Sequence, residues 1–307
     1  MKLLGTICLL LGIGLFSTVE ICQKLIVQGC GCHIDPYIMV FVRFIITGLI
    51  LLAVGLPLLW RKGKHLAFAD WLHFTLNGIL GITLCLSLFH LGIDKFQNAS
   101  SAAVVFSANS IFVVILARFI NAEKWALNKW IAVLFGLIGI SMFIYENGSP
   151  DMTTLKAIGV MSFSALLFAL SVCYTKKTIA KTGAMVYMGG SSLIGGLLAL
   201  PMFFIISDLS FGAAIAPMKD AIFEMSYMVF IATALAYCLY YTGISCTSAF
   251  HASMAFMLKP VLACVFSQLA NVCGILSSER AMNAWTITGT VLIVVAMCLA
   301  QLCKAKK

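Results

Sequence analysis

The sequence predicts an all-α integral membrane protein with ten transmembrane helices, arranged as two inverted repeats of five. Three observations carry that prediction. Of 307 residues, 62% are hydrophobic and only 10% are charged, too few charges to give a soluble domain of this size a water-facing surface. Ten apolar stretches of roughly 20 residues, each long enough to cross a bilayer, follow one another through short loops and leave nothing over for a soluble domain. An acidic, polar segment from Glu146 to Thr154 falls near the midpoint, with five stretches on either side. Five is odd, so the second half enters the membrane from the opposite face and lies upside down relative to the first.

The stretches run over 3–27, 36–59, 70–92, 98–119, 126–146, 155–176, 184–207, 222–244, 249–270 and 282–303. Inside hydrocarbon every backbone N–H and C=O needs a partner in its own segment, so these runs are read as helices. The first, with Lys2 ahead of Leu3 to Phe16, has the outline of a secretion signal. No small-x-small cleavage site follows, however, and the apolar run continues past Glu20 to Val27, so it is read as a membrane helix. The second opens at Pro36. The third has His90 near its end, and the fourth has Asn109 at its middle. The seventh carries Gly189, Gly190, Ser191, Ser192, Gly195 and Gly196, small residues that let helices approach closely. Glu123 and Glu279 begin the fifth and tenth, where a carboxylate favours the helix dipole. Together these define repeats at 1–147 and 153–305.

Traces of duplication support the two halves. A shift of 151 residues brings Leu91-Gly92-Ile93 onto Thr242-Gly243-Ile244, His90 onto Tyr241, and Asn109 onto Pro260. A shift of 152 brings Phe16 onto Phe168 and Lys24 onto Lys176. An inverted repeat of this kind places a binding site near the midplane, between the halves.

The net charge of +9 reports orientation and not a nucleic-acid partner. With the N-terminus in the cytoplasm, the cytoplasmic segments hold Lys2, Arg61, Lys62, Lys64, Arg118, Lys124, Lys129, Lys176, Lys177, Lys181, Lys304, Lys306 and Lys307. The opposite side keeps Lys95, Lys156, Lys219 and Arg280. The positive-inside rule therefore puts both termini in the cytoplasm. Most of the 12 cysteines lie in the spans as soft packing residues. Cys30 and Cys32, with His33, lack two further ligands at useful spacing, so no metal and no cofactor is expected, and their role is left open.

Three cations fall within the spans, and these are the informative ones: Lys24, Arg43 and Lys259. Lys259 lies about ten residues into its stretch, roughly 15 Å deep at 1.5 Å per residue. Its stem cannot carry the ammonium from there to an interface, and a bare cation at that depth costs roughly 2.5–3.5 kcal/mol on insertion scales. It needs an interior partner or a wet cavity. Pro260 removes a backbone donor and frees a carbonyl one turn earlier, a helix break tolerated beside a cavity. Glu20 and Lys24 are four apart on one helical face and suit an intrahelical pair, while Arg43 sits at about the depth of Glu20, so a Glu20–Arg43 bridge is also expected. Arg43 suits a carboxylate through its planar fork, and Glu20 is the best-placed acid for proton coupling. His90, Tyr237, Tyr241 and Asn109 complete the candidate lining, with packing as the plainer reading of each.

In order and spacing the chain resembles the drug/metabolite transporter superfamily of EamA type. The similar elements are Phe16 to Lys24, Pro36 with Arg43 seven residues on, and NASSAAVVFSANSIFVVILARFINAEKWALNKWIAVLFGLIGI, where Glu123, Trp130 and Gly139 keep the spacing. In the second half they are ALAYCLYYTGI, HASMAFMLKPVLACVF and Glu279 to Gly289. Asn109 stands where the first repeat often has proline, and five extra residues precede Glu279. The resemblance implies a ten-helix exporter or exchanger of small metabolites, such as amino acids, in a bacterial inner membrane. It implies helices one to four and six to nine around a cavity, the fifth and tenth at the periphery, protons as a candidate coupling ion and a homodimer as a candidate assembly.

Two other substrate classes compete. A sugar-phosphate or nucleotide-sugar carrier would use Lys24, Arg43 and Lys259 as anion ligands. A drug-cation exporter would want a central carboxylate in an aromatic cage. No Walker-type phosphate loop is present, so energy comes from gradients or exchange. A polytopic membrane enzyme is disfavoured by the lack of His-Glu-x-x-His, of Gly-x-Ser-x-Gly and of paired intramembrane aspartates. A channel would betray itself by conductance far above carrier turnover.

Overall fold

A computed structural model of the chain describes residues 2–31, 33–96, 99–120, 127–145, 152–247, 249–276 and 284–302. All regular structure among them is helical. In the first half run α1 (Lys2–Phe16), α2 (Val19–Cys30), α3 (Pro36–Arg61), α4 (Phe68–Asn77), α5 (Cys85–Lys95), α6 (Ala99–Phe106), α7 (Asn109–Ile120) and α8 (Leu127–Tyr145). The second half holds α9 (Met152–Thr182), α10 (Ala184–Ile206), α11 (Phe211–Ile215), α12 (Ile222–Val229), α13 (Ala236–Cys246), α14 (Ala249–Phe256), α15 (Lys259–Val272) and α16 (Ala284–Leu302). Wider π turns, Gly78–Leu84 and Phe230–Leu235, join α4 to α5 and α12 to α13.

Local chemistry sets these boundaries. Asp35 caps α3, its Oδ1 accepting from Tyr37 N at 2.9 Å and Ile38 N at 3.3 Å, and Pro36 fills the first helical position, where no N–H is needed. Gly31 ends α2 at φ 63°, a left-handed conformation that glycine adopts without strain. Both π turns are closed by a threonine five residues on. Thr83 Oγ1 donates to Gly78 O at 3.1 Å and to Gly195 O at 2.7 Å, and Thr233 Oγ1 donates to Met228 O at 2.6 Å. The breaks between paired helices are also satisfied locally. Ser17 Oγ donates to Ile13 O, Ser107 Oγ to Ala103 O and Asn109 Nδ2 to Phe106 O, all at 2.7–2.8 Å. Pro260 lies in the first turn of α15, just past the break at Met257–Leu258.

The helices pack as a set of reciprocal pairs. α3 lies against α10, α1 against α13, α9 against α5 and α7, α8 against α16, α6 against α15 and α7 against α14. The α3–α10 contact is close because glycines face backbone. A Cβ on Gly48 would stand 2.7 Å from Leu193 N, and one on Gly196 would stand 3.0 Å from Ile45 N. Outward-facing side chains are apolar, among them Trp60, Phe119, Phe204 and Phe223, a surface suited to lipid.

Seven segments are long and apolar enough to cross a membrane: Leu3–Gly29, Pro36–Arg61, Phe68–Lys95, Ser101–Ile120, Leu155–Thr175, Ala184–Ile206 and Ile222–Cys246. The ten expected stretches thus reduce to seven by this measure among the described residues. Two of the seven, Leu3–Gly29 and Ser101–Ile120, run through a break, at Ser17–Thr18 and Ser107–Ala108. Cys32, Glu123 and Glu279 lie outside the described residues, as does most of the midpoint segment, 146–151.

Candidate functional site

Three breaks in the helices converge on the middle of the bundle: α1/α2, α6/α7 and α14/α15. Around them stands a box of rings. Phe16 ends α1, Phe89 lies on α5, Phe106 ends α6, Phe168 lies on α9, Tyr237 lies on α13 and Phe256 ends α14. Their centroids lie 4.6–6.1 Å apart in contacts such as Phe89–Phe106, Phe16–Tyr237 and Phe106–Phe256. The void they share with Arg43 and Lys259 measures about 20 Å³, room for about one water molecule.

Lys259 enters this box from the first turn of α15. Its Nζ sits 4.9 Å from the ring centroids of both Phe89 and Phe106, and 5.7 Å from that of Phe256. Ring faces attract a cation, by about 2 kcal/mol or more when water is excluded. The ammonium also donates to Glu20 Oε1 in a short charged contact across α15 and α2, with both side chains almost wholly buried. The other carboxylate oxygen, Glu20 Oε2, is buried without a hydrogen-bond partner.

Two expected pairings are corrected here. Glu20 binds neither Lys24 nor Arg43, because the lysine of the second half reaches its carboxylate. Lys24 is turned away along α2, and its Nζ donates to Phe96 O at 2.5 Å. Arg43 reaches the other half instead: its Nε donates to Thr233 Oγ1 in a short bond. Its Nη1 donates to His90 Nε2 at 3.2 Å, and its carbon lies 5.3 Å from the Phe44 ring centroid.

The remaining candidates are spread around this centre. His90 is buried behind Arg43, and Tyr237 lines the void. Tyr241 lies one layer away, its ring centroid 5.8 Å from Tyr237 and 5.5 Å from Tyr187. Asn109 is spent on the α6/α7 break, through its bond to Phe106 O. A second, wider cavity of about 260 Å³ lies beyond the tyrosines, lined in part by Lys62, Lys64, Lys181, Val186 and Thr242. There Lys181 Nζ meets Asp70 Oδ2 at 2.5 Å.

Sequence reasoning named Tyr237 but missed the phenylalanines around it as a lining, along with Gln23 and Thr233. A signal for the rings was available in the repeat offset. Leu86 and Tyr237, and Phe89 and Tyr240, are 151 apart, Phe106 and Phe256 are 150 apart, and Phe16 and Phe168 are 152 apart. Read as pairs, these positions mark ring-bearing faces in both halves. For Gln23 no such signal existed, because its meaning depends on the partners that the fold brings to it.

The profile of the EamA-like transporter family matches residues 3–145 and 155–302. A chain of Clostridium kluyveri named as an uncharacterized transporter is 28% identical over 269 residues, covering 86% of this chain and 85% of its own length. The uncharacterized inner membrane transporter YicL of Salmonella typhimurium is 23% identical over 307 residues, covering 97% of this chain and 95% of its own. A solved crystal structure superposes with a TM-score of 0.73 over the full length of both chains. At 15% identity that likeness shows the fold alone. The apolar helices suit a multi-pass membrane protein, and the family is one of transporters. The chain belongs to the EamA-like transporter family, and the resemblance to the drug/metabolite transporter superfamily read from its motifs is borne out.

Proposed function

We propose that the protein is a secondary active transporter that exports or exchanges small metabolites such as amino acids by alternating access. The observation that carries this reading is the buried Glu20–Lys259 pair, which joins the two halves inside an aromatic box beside Arg43. A buried ion pair is weak evidence for stability, since desolvation offsets much of its attraction. A pair that must separate during a transport cycle has a reason to be there.

An amino acid offers the two groups the centre can use. Its ammonium competes with Lys259 for Glu20 and the ring faces, and Glu20 Oε2 is without a partner to receive it. Its carboxylate goes to Arg43. The void admits about one water as it stands, too little for an amino acid, so entry would come with rocking of the halves. Release of Lys259 leaves Glu20 as the group able to take a proton, which makes protons the candidate coupling ion.

The architecture proposed is ten transmembrane helices in two inverted repeats, 1–147 and 153–305, with both termini cytoplasmic in a bacterial inner membrane. Several features support it. The π turns recur 152 residues apart, their closing threonines 150 apart, and the breaks of α6/α7 and α14/α15 150 apart. The packing is reciprocal as well: α1 on α13 is answered by α9 on α5, and α3 on α10 and α8 on α16 are their own counterparts. A sugar-phosphate carrier fits less well, because Lys24 faces the Phe96 carbonyl and Lys259 is already paired.

Counterflow in proteoliposomes tests the proposal. Vesicles loaded with one unlabelled amino acid should concentrate the labelled form transiently, and sugar phosphates and lipophilic cations should not replace it. Counterflow with sugar phosphates alone would transfer the assignment to that class. Conductance in planar bilayers above carrier rates would replace the carrier with a channel. An acid-inside gradient that drives the Glu20→Gln variant as well as the wild type would remove Glu20 from coupling.

A further inference from the structure

Behind Arg43 lies a chain of hydrogen bonds whose direction can be worked out from its far end. Asp94, at the end of α5, accepts from Gln23 Nε2 at 2.7 Å. The same Nε2 reaches the backbone carbonyl of His90 at 3.2 Å. A carbonyl oxygen can only accept, so the Gln23 end facing it is the NH2 group, and the other end, Oε1, is an acceptor. Gln23 Oε1 faces His90 Nδ1 at 2.5 Å, so the proton of that bond belongs to His90 Nδ1. His90 Nε2 then presents a lone pair, and Arg43 Nη1 donates into it at 3.2 Å.

The consequence falls on Arg43. The guanidinium is held by two neutral acceptors, His90 Nε2 from the first half and Thr233 Oγ1 from the second. Thr233 Oγ1 accepts through a lone pair while its own proton goes to Met228 O. Neither acceptor is a carboxylate, and the nearby carboxylate of Glu20 is paired through Oε1 with Lys259. The guanidinium has five N–H donors in a planar fork, two of them engaged here. Its Nη2 edge has no acceptor among the described residues, and Arg43 lines the central void. Were His90 in the opposite tautomer, an N–H would face the guanidinium and push it out of place.

We propose that Gln23 and Asp94 are positioning residues that hold His90 as an acceptor toward Arg43, so that the free edge of the guanidinium takes the carboxylate of the transported molecule. This rests on the reading of the central void as the substrate site. Neither residue touches substrate; both act through the imidazole. Asp94→Asn keeps an oxygen acceptor for Gln23, and His90→Asn removes the imidazole and so identifies its signals. Gln23→Met keeps the volume and removes both ends of the relay.

Two readouts on the full-length protein in detergent separate the claims. In protein labelled with 15N-histidine, the His90 signals, assigned by their loss in His90→Asn, should report a neutral ring protonated at Nδ1. That signature should be lost in Gln23→Met and kept in Asp94→Asn. Thermal-shift titration with phenylalanine and phenylalaninamide as probes reads the ligand arm. The acid should stabilise the wild type and the amide should not. In Gln23→Met the apparent affinity for the acid should fall about tenfold, equivalent to about 1.4 kcal/mol, with recovery in Asp94→Asn relative to Asp94→Ala. A Gln23→Met protein that keeps both the Nδ1–H ring and the wild-type affinity overturns the positioning role. Equal responses of the wild type to acid and amide, with the Nδ1–H signature present and lost in Gln23→Met, overturn the substrate site on which the proposal rests, and the carboxylate assignment with it.

Discussion

Glu20 offers two carboxylate oxygens, and Lys259 satisfies one of them. Truncating the lysine leaves a buried charge, so Lys259→Met should destabilise the protein by about 3–5 kcal/mol, whereas Glu20→Gln with Lys259→Met should recover most of that loss. Unfolding followed by intrinsic fluorescence in mild detergent reads both, and a double variant no better than the single would mean that the two charges are not coupled. Arg43→Lys keeps the charge but loses the fork that holds Thr233 and His90 together. Transport should fall at least about tenfold, the effect of one charge-assisted hydrogen bond, and stability should fall by about 1–3 kcal/mol for the buried acceptors left unpaired. Lys259 was legible in the sequence because a cation in an apolar run announces itself. Its partner was not. Depth along a span narrows the candidates to a layer, but the pairing depends on which helices are broken there and how they cross.

At the scale of the element, close approach and helix breaks decide the geometry. Gly48 faces the backbone of α10, and a Cβ there would stand 2.7 Å from Leu193 N. Gly48→Val should therefore push α3 from α10 and lower the yield of folded protein, overpacking of this kind costing about 1–3 kcal/mol or more. Gly14 has nothing within 4 Å of its would-be Cβ, so Gly14→Ala should leave stability unchanged or raise it by about 0.5–1 kcal/mol. Size-exclusion profiles of fluorescent fusions compare the two, and equal losses would remove the close-packing account. The two π turns give a second test. Thr83→Val and Thr233→Val each strip a carbonyl of its side-chain donor, and only the second also strips Arg43 of an acceptor. Both should cost stability, but the Thr233 variant should lose more transport. The small residues of α10 were readable as a packing face from composition. The π turns were not, because nothing in Gly78–Leu84 or Phe230–Leu235 breaks the apolar pattern. They emerge only when the two halves are compared at matching positions.

For the whole molecule, membrane embedding and family were legible from hydropathy, charge placement and motif order, and the family match supports both. The count of crossings was less so: seven segments qualify among the described residues, against ten expected from the sequence. The proposed topology has a direct consequence. A fluorescent protein fused to the C-terminus should mature in the cytoplasm, and alkaline phosphatase fused after Lys219 should be active outside it. The reverse pattern would invert the account of the basic loops. The central claim is that the Glu20–Lys259 centre is the substrate site and not a strut, and it is tested most directly by counterflow of labelled amino acid through the Glu20→Gln, Lys259→Met double variant. That protein should fold, elute as the wild type does and show no exchange. A folded double variant exchanging at the wild-type rate would contradict the claim.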